Sequence, residues 1–291
     1  METAAQVLRW LSYLAFSFSW TGITHFFITH LVNGYLVGGL LFTAVFRLAA
    51  LKCDPGAFSD RGPWPVRILA ILLLIGLQWG LWRYWFFFRD PERPVPEGRN
   101  IVSPADGFVV YVKPWRAGEP LLSIKDGKPI PLEEITKVPA PPGLEEGFLI
   151  GIFMTSMSVH VNRSPIRGVV ESIRHFPASN RSMLPMALRT MLFLKPYEKG
   201  SGHVVSNERE TMLIRGEFPV FVTRIGDFYV DKIVNMTAVG KALEKGERIG
   251  LIKMGSQTDV VFPSQAGGGP MKILVKEGQY VYGGHTILAE H

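Results

Sequence analysis

Near its C-terminus the chain reads Lys253-Met254-Gly255-Ser256-Gln257-Thr258-Asp259. A serine directly after a glycine makes a peptide bond that can be broken from within. Glycine has no side chain to block the Ser256 hydroxyl from the preceding carbonyl, and it tolerates backbone angles that other residues avoid. The hydroxyl needs a base, and the base needs a group to orient it. His160, in Val159-His160-Val161-Asn162-Arg163, and Asp106, in Ser103-Pro104-Ala105-Asp106-Gly107, have the right chemistry. Attack of Ser256 on the Gly255 carbonyl would form an ester. Elimination would then cut the chain between Gly255 and Ser256 and leave residue 256 as a reactive carbonyl. Each residue also has a plainer reading. Asp106 lies between Pro104 and Gly107, where an aspartate readily bonds its own backbone to shape a turn. A lone histidine is more often structural. A metal is not expected: His160 has no histidine partner at ligand spacing, and Cys53 is the single cysteine, which also rules out an intrachain disulfide.

These residues need a scaffold of strands. Residues 101–112 read as strand, tight turn, strand, with Asp106 at the tip. Short apolar runs such as 148–153, 211–215, 220–225 and 232–236 are separated by proline and glycine clusters. His160 follows one run and precedes the turn at Ser164-Pro165, and residues 246–253 carry a strand straight into Gly255-Ser256. Residues 271–281 and 284–289 read as strand, turn, strand. Residues 182–194, rich in methionine and leucine, read as a short helix, either a lid over an apolar substrate or an ordinary core-packing segment. The expected fold is mainly β, a barrel-like or sandwich-like catalytic domain with minor α spanning 89–291.

The first 88 residues differ in kind. The chain is 47% hydrophobic with 19% charged residues, and the apolar excess is concentrated here. Stretches 31–51 and 65–87 are long enough to cross a bilayer as a helical hairpin. The second ends in Trp82, Tyr84, Trp85 and three phenylalanines with Arg83 and Arg89, which suits the headgroup level. Stretch 7–27 reads as a further span or as a helix lying in the interface. No basic segment followed by a small-residue cleavage site marks it as a removable signal. We therefore expect an N-terminal α-helical membrane region over 1–88 and a cell-membrane location, with the catalytic domain on the cytoplasmic side.

The net charge is +6, from 31 basic and 25 acidic residues. Beside apolar spans, a mild basic excess suits an anionic lipid surface. No basic run or finger spacing points to nucleic acid.

Five segments in order carry a resemblance: Phe87-Phe88-Arg89-Asp90-Pro91-Glu92-Arg93, Ser103-Pro104-Ala105-Asp106-Gly107, Val159-His160-Val161-Asn162-Arg163, Asn207-Glu208-Arg209 and Gly255-Ser256. Together they resemble the phosphatidylserine decarboxylase family, closest to its shorter bacterial and archaeal-type branch. The resemblance implies a self-processing proenzyme that converts phosphatidylserine to phosphatidylethanolamine. Its cofactor would be a covalent pyruvoyl group derived from Ser256, and its catalytic residues Asp106, His160 and Ser256. The products would be a β chain, 1–255, and an α chain, 256–291, held as a heterodimer that could build a higher oligomer. The chemistry agrees: decarboxylating an amino acid leaves electrons on the α-carbon, and a pyruvoyl carbonyl can accept them as pyridoxal phosphate does elsewhere. Arg163, Arg167 and Lys253 are candidates to meet the lipid phosphate or serine carboxylate, although each also reads as a solvated surface charge. Longer bacterial relatives carry two histidines around the central motif, and here only His160 is present.

Three other readings are set beside this one. A lipoyl-type or barrel-type carrier module would explain the hairpins at 102–107 and 275–281, with Lys272 modified and Ser256 inert. A membrane-tethered zinc hydrolase would need a second histidine or carboxylate cluster. A decarboxylase of a related serine lipid, such as an archaeal ether lipid, stays within the family.

Overall fold

The computed structural model describes residues 76–77, 80–123, 129–155, 157–228, 233–253 and 256–291. The chain divides into two units, Met1–Arg89 and Asp90–His291. The helices expected at 7–27 and 31–51, and most of the one at 65–87, lie outside the described residues. Leu81–Phe87 is π-helical, and among the described residues no helix is long and apolar enough to cross a membrane.

The second unit is mainly β. Its strands follow the runs of β-branched and aromatic residues. The first half supplies β1 (Asn100–Val102), β2 (Gly107–Arg116), β3 (Leu122–Ser123), β4 (Pro129–Ile130), β5 (Glu146–Met154), β6 (Val161–Arg163) and β7 (Gly168–Phe176). Next come β8 (Arg209–Arg215), β9 (Pro219–Gly226), β10 (Ile233–Asn235), β11 (Ala242–Leu243), β12 (Arg248–Ile252) and β13 (Ser256–Pro263). Shorter pieces close the chain: β14 (Gln265–Ala266), β15 (Gly269–Pro270), β16 (Lys272–Ile273), β17 (Tyr280–Val281) and β18 (Ile287–Glu290). Helices α1 (Leu132–Thr136), α2 (Leu184–Met191) and α3 (His203–Ser206) are inserted between strands.

Eight strands form an antiparallel sheet in the order β11-β7-β8-β9-β13-β5-β2-β17, curled as a half-barrel. Neighbouring side chains on a strand point to opposite faces, and both faces of this sheet are covered. On one, Val260 and Phe262 pack with Ile150, Ile152 and Val222. On the other, Val261 packs with Leu149, Phe221 and Leu213 and with Leu132, Met183 and Met186 from the segments carrying α1 and α2. β13 is consequently buried along its whole length. Each of its large apolar side chains contributes about 1.5–3 kcal/mol by leaving water.

A smaller sheet has the order β10-β12-β6 and continues the centre of the large one. In the large sheet β13 lies between β9 and β5; in the small sheet β12 lies between β10 and β6. The chain passes from β5 to β6, from β9 to β10, and from β12 to β13. All three passages fall at one level. Ser256 pairs with Met154 and with Gly226, whereas Leu251 pairs with Val161 and Ile252 with Ile233. The strand that the sequence runs straight into Ser256 therefore changes sheets just before it. The pairing of β12 with β6 is irregular between Arg248 and Gly250, as bulged strands beside functional sites often are. A Cβ at Gly250 would lie 2.0 Å from the Arg224 guanidinium and 2.3 Å from the Val234 carbonyl oxygen. Glycine leaves room there for the buried Arg224, which is bonded to Glu210, Asn235 and the Val234 carbonyl.

Candidate active site

Ser256 opens β13, and its side chain is fully buried. Its hydroxyl lies 3.2 Å from the Met154 sulfur, the residue opposite it on β5. Thr258, two residues on and on the same face, lies 3.5 Å from that sulfur, and Asn162 Nδ2 donates to the Thr258 hydroxyl at 3.2 Å. The hydroxyl thus lies beside the Met154 sulfur, on the side of the sheet away from the helices.

His160 is buried at the far end of the passage from β5 to β6. Its carbonyl accepts a hydrogen bond from the Ile252 amide at 3.3 Å, so it sits beside the last residue of the strand leading to Gly255-Ser256. Nδ1 lies 2.9 Å from the Ser158 carbonyl oxygen. A carbonyl can only accept, so Nδ1 carries the proton and Nε2 is the basic nitrogen of the neutral ring. The turn that orients the ring is itself held. The Ser158 hydroxyl accepts from the Thr155 amide and from the Tyr280 hydroxyl, both at 3.1 Å.

The Ser158 carbonyl thereby holds the ring at Nδ1. Asp106, buried at its turn, is gripped by Arg93 through both oxygens, at 2.5 and 2.8 Å, and accepts the Gly283 amide at 2.8 Å. Its turn is fixed to the central passage: the Pro104 carbonyl accepts from the Arg163 amide at 2.8 Å. Asp106 is thereby tied to the strand that His160 leads into.

Of the candidate substrate cations, Arg163 is almost fully buried, and its guanidinium bonds Asp90 at 2.7 Å and the carbonyls of Gly246 and Pro91. Arg167 is exposed, pairs with Glu244 at 3.4 Å, and lines a cleft with Arg99, Lys245 and His291. Lys253 is buried and directly follows β12. Asp90 also meets Arg248, and Glu92 meets Arg248. The acidic residues and Arg93 of the junction motif thus lock onto β6, β12 and Asp106, a function its sequence pattern alone did not disclose. Among the described residues no cluster of three or more His, Cys, Asp or Glu side chains is placed to hold a metal ion.

A buried polar row on the opposite face of β13 was missed from sequence. Gln257 Nε2 donates to the Asp259 carboxylate at 2.6 Å and to the Tyr111 hydroxyl at 2.5 Å, and its Oε1 lies 3.1 Å from His203 Nε2. Burial pushes Asp259 up to about 6 against the opposing pull of Gln257, Tyr111 and Arg209. Burial likewise pushes His203 down to about 4. The signal was present: two polar residues alternating with Ser256 and Thr258 at the head of an apolar strand need partners on both faces.

This is a half-barrel in which Ser256 is buried at the head of its central strand, and His160, its Nδ1 held by the Ser158 carbonyl, is bonded to the end of the strand that precedes it. The sequence profile described as phosphatidylserine decarboxylase matches residues 82–289. A putative archaetidylserine decarboxylase proenzyme from Methanocaldococcus jannaschii is 36% identical over 206 residues, covering 70% of this chain and 87% of the relative. Phosphatidylserine decarboxylase proenzymes from Carboxydothermus hydrogenoformans (29% identical, covering 81% of this chain and 97% of the relative) and Chlorobaculum tepidum (31% identical, 70% and 76%) are also similar. The chain belongs to the phosphatidylserine decarboxylase family.

Proposed function

We propose that this chain is a phosphatidylserine decarboxylase proenzyme that cuts itself between Gly255 and Ser256 and converts residue 256 into a pyruvoyl group. The observation that carries this reading is the position of Ser256. It is buried at the start of a strand paired on both sides, with His160 bonded to the strand that precedes the cut. His160 Nε2 takes the Ser256 hydroxyl proton. The oxygen attacks the Gly255 carbonyl carbon, the C–N bond breaks, and an ester forms with a free amine on residue 256. Loss of the α-proton and of the Gly255 carboxylate leaves dehydroalanine. Tautomerisation and addition of water release ammonia and leave the ketone.

The residues present fit the group. A pyruvoyl has fewer heavy atoms than the serine it replaces, so the space beside Met154 and Thr258 admits it without rearrangement. When formed, its ketone supplies an electrophile for the substrate amine and a sink for the electrons left by departing CO2. In this reading His160 also serves to return a proton to the α-carbon. Asp106, compensated by Arg93, holds the turn against β6. Lys253, Arg163 and Arg167 are the candidates to supply positive charge for an anionic headgroup; Arg163 also faces Asp90 and Arg167 faces Glu244. The two pieces, 1–255 and 256–291, remain one heterodimer because β13 lies between strands of the larger piece. The phospholipid substrate and the apolar first 88 residues support a cell-membrane location with the catalytic unit toward the cytoplasm.

A second substrate has one observation in its favour. The archaeal relative is named for archaetidylserine, which shares the serine headgroup and differs in its tails.

Intact-mass spectrometry of the full chain tests the reading. We expect one species ending at Gly255 and one beginning at a residue 256 of pyruvoyl mass. Ser256→Ala should give a single chain that decarboxylates neither lipid. A single unmodified wild-type chain, or normal turnover by Ser256→Ala, would overturn it. Relative turnover of the ester and ether lipids decides between the substrates.

A further inference from the structure

Helix α2 and the turn after it present an apolar surface outward. Met186 and Thr190 face the interior, while Leu184, Leu188, Met191, Leu192, Phe193 and Leu194 are exposed, Met191 by 70% and Phe193 by 72%. Isolated exposed apolar side chains are ordinary; a contiguous group of this size marks a surface that meets lipid or another protein. The segment is not loosely placed. The Arg189 guanidinium donates to the Pro196 carbonyl at 2.8 Å and the Lys195 carbonyl at 3.1 Å, and the Leu194 amide bonds the Arg189 carbonyl at 2.8 Å. These bonds close the turn and hold Leu192, Phe193 and Leu194 outward.

Two further observations say what covers this surface. Between Phe176 and Glu198 the charged residues are all basic, Arg181, Arg189 and Lys195; Lys195 meets Glu277 from outside the segment at 3.9 Å and stays more than half exposed. That pattern complements an anionic bilayer interface. The surface is also tied to the candidate active site. The Met183 amide, at the start of α2, donates to Asp227 at 2.8 Å, and Asp227 follows Gly226, the residue paired with Ser256. Phe228, next along, is more than half exposed.

The structure assigns to α2 and residues 192–194 the role of docking the catalytic unit on a lipid bilayer, apolar side chains among the acyl chains and Arg181 and Lys195 at the headgroups. This deepens the proposed function and rests on it only for the identity of the substrate. The surface lets residue 256 be served by lipid still held in the bilayer.

The test uses the full chain in vesicles of phosphatidylethanolamine and phosphatidylglycerol. Single-cysteine variants Met191→Cys, Phe193→Cys and, as a control, Lys272→Cys are made with Cys53→Ala and labelled with an environment-sensitive fluorophore. Lipids spin-labelled on the acyl chain should quench the probes at 191 and 193 and leave the probe at 272 unaffected. Equal quenching at all three sites would overturn the proposal. So would probes at 191 and 193 that are shielded from water yet unquenched, since a second copy or another protein segment would then cover the patch. A second arm compares turnover of vesicular phosphatidylserine with that of monomeric short-chain phosphatidylserine. The combined change of Leu188, Met191 and Phe193 to Ser should lower the ratio at least about tenfold, the order expected when several apolar side chains no longer leave water; an unchanged ratio would refute the surface. The quenching arm needs no turnover, so failure of the decarboxylase reading shows separately, as a chain that turns over neither substrate.

Discussion

The Tyr111 hydroxyl donates to the Asp259 carboxylate at 2.7 Å, and the two side chains meet across a glycine. Gly151 of β5 pairs with Tyr111 on one side and with Asp259 on the other. A Cβ at Gly151 would lie 2.3 Å from the Tyr111 ring. The missing side chain is what lets the ring lie over β5 and reach β13. Through Asp259 and Gln257, the residue after Ser256 is tied to groups from β2 and α3 on the helix-covered face.

Gly151→Ala should therefore displace Tyr111. Overpacking of this kind costs about 1–3 kcal/mol, readable by denaturant unfolding. Self-cleavage, followed by intact mass over time, should slow with it. Unaltered stability and cleavage would show that the ring has room to move.

Gln257→Ala removes donors from Asp259 and Tyr111 and the partner of His203 in one step. Leaving buried polar groups unmatched costs about 1–3 kcal/mol each. We expect lower stability together with slower cleavage, whereas Gln257→Glu, which keeps the length but loses the amide donor, should not rescue either. Rescue by glutamate would mean that bulk, not hydrogen bonding, holds the position.

The two titrating groups of this row oppose each other. His203 is lowered from 6.5 to about 4, so its contribution is present above 6.5 and is lost as pH falls toward 4. Asp259 is raised from 3.8 to about 6, so its contribution is complete below 3.8 and is lost as pH rises through 6. His203→Gln should gain on the wild type by up to about 3 kcal/mol as pH falls from about 7 to 4. Asp259→Asn should gain on it as pH rises over the same span. Unfolding free energies measured across that range check both, and parallel curves would contradict the assignment.

Arg93→Ala would leave Asp106 buried with the Gly283 amide as its remaining partner. Breaking a buried pair from one side costs about 3–5 kcal/mol. A fall in thermal stability, partly restored by Arg93→Lys, is the expected result. A change confined to cleavage rate would instead make Asp106 part of the reaction itself.

His160→Ala should leave the chain whole, because no other group is assigned the proton of Ser256. Mass spectrometry after prolonged incubation decides this, and cutting at the wild-type rate would move the base elsewhere.

Much of the β architecture was legible in the order of short β-branched runs, and Ser256 stood out because Gly-Ser is chemically distinctive. The run at 246–253 shows in sequence as a strand leading toward Ser256, yet its change of sheet is hidden, since it depends on pairing with β10 just before it and with β6, far away in sequence. The orientation of His160 by a backbone carbonyl was invisible for a simple reason: every residue has a carbonyl, so side-chain spacing gives no clue. The Arg93 grip on Asp106 lay within recognised motifs, but only the folded chain shows which acid meets which base. Residues 182–194 read in sequence as either a lid over an apolar substrate or a core-packing segment; their exposure, which sequence does not report, argues against simple core packing.

Ser256 lies in a strand paired on both edges, with β5 and β9 supplied from the N-terminal side of the cut. That arrangement imposes a chronology: the sheet must close before the bond can break, because the site is assembled from the strands on either side. It also makes processing a one-way event for the molecule's history. Before the cut, an unfolded chain can refold from one polymer at any dilution. Afterwards, a short fragment must find its slot in a second molecule, so recovery from denaturation should depend on concentration even though the folded enzyme has the same hydrogen bonds across its sheet.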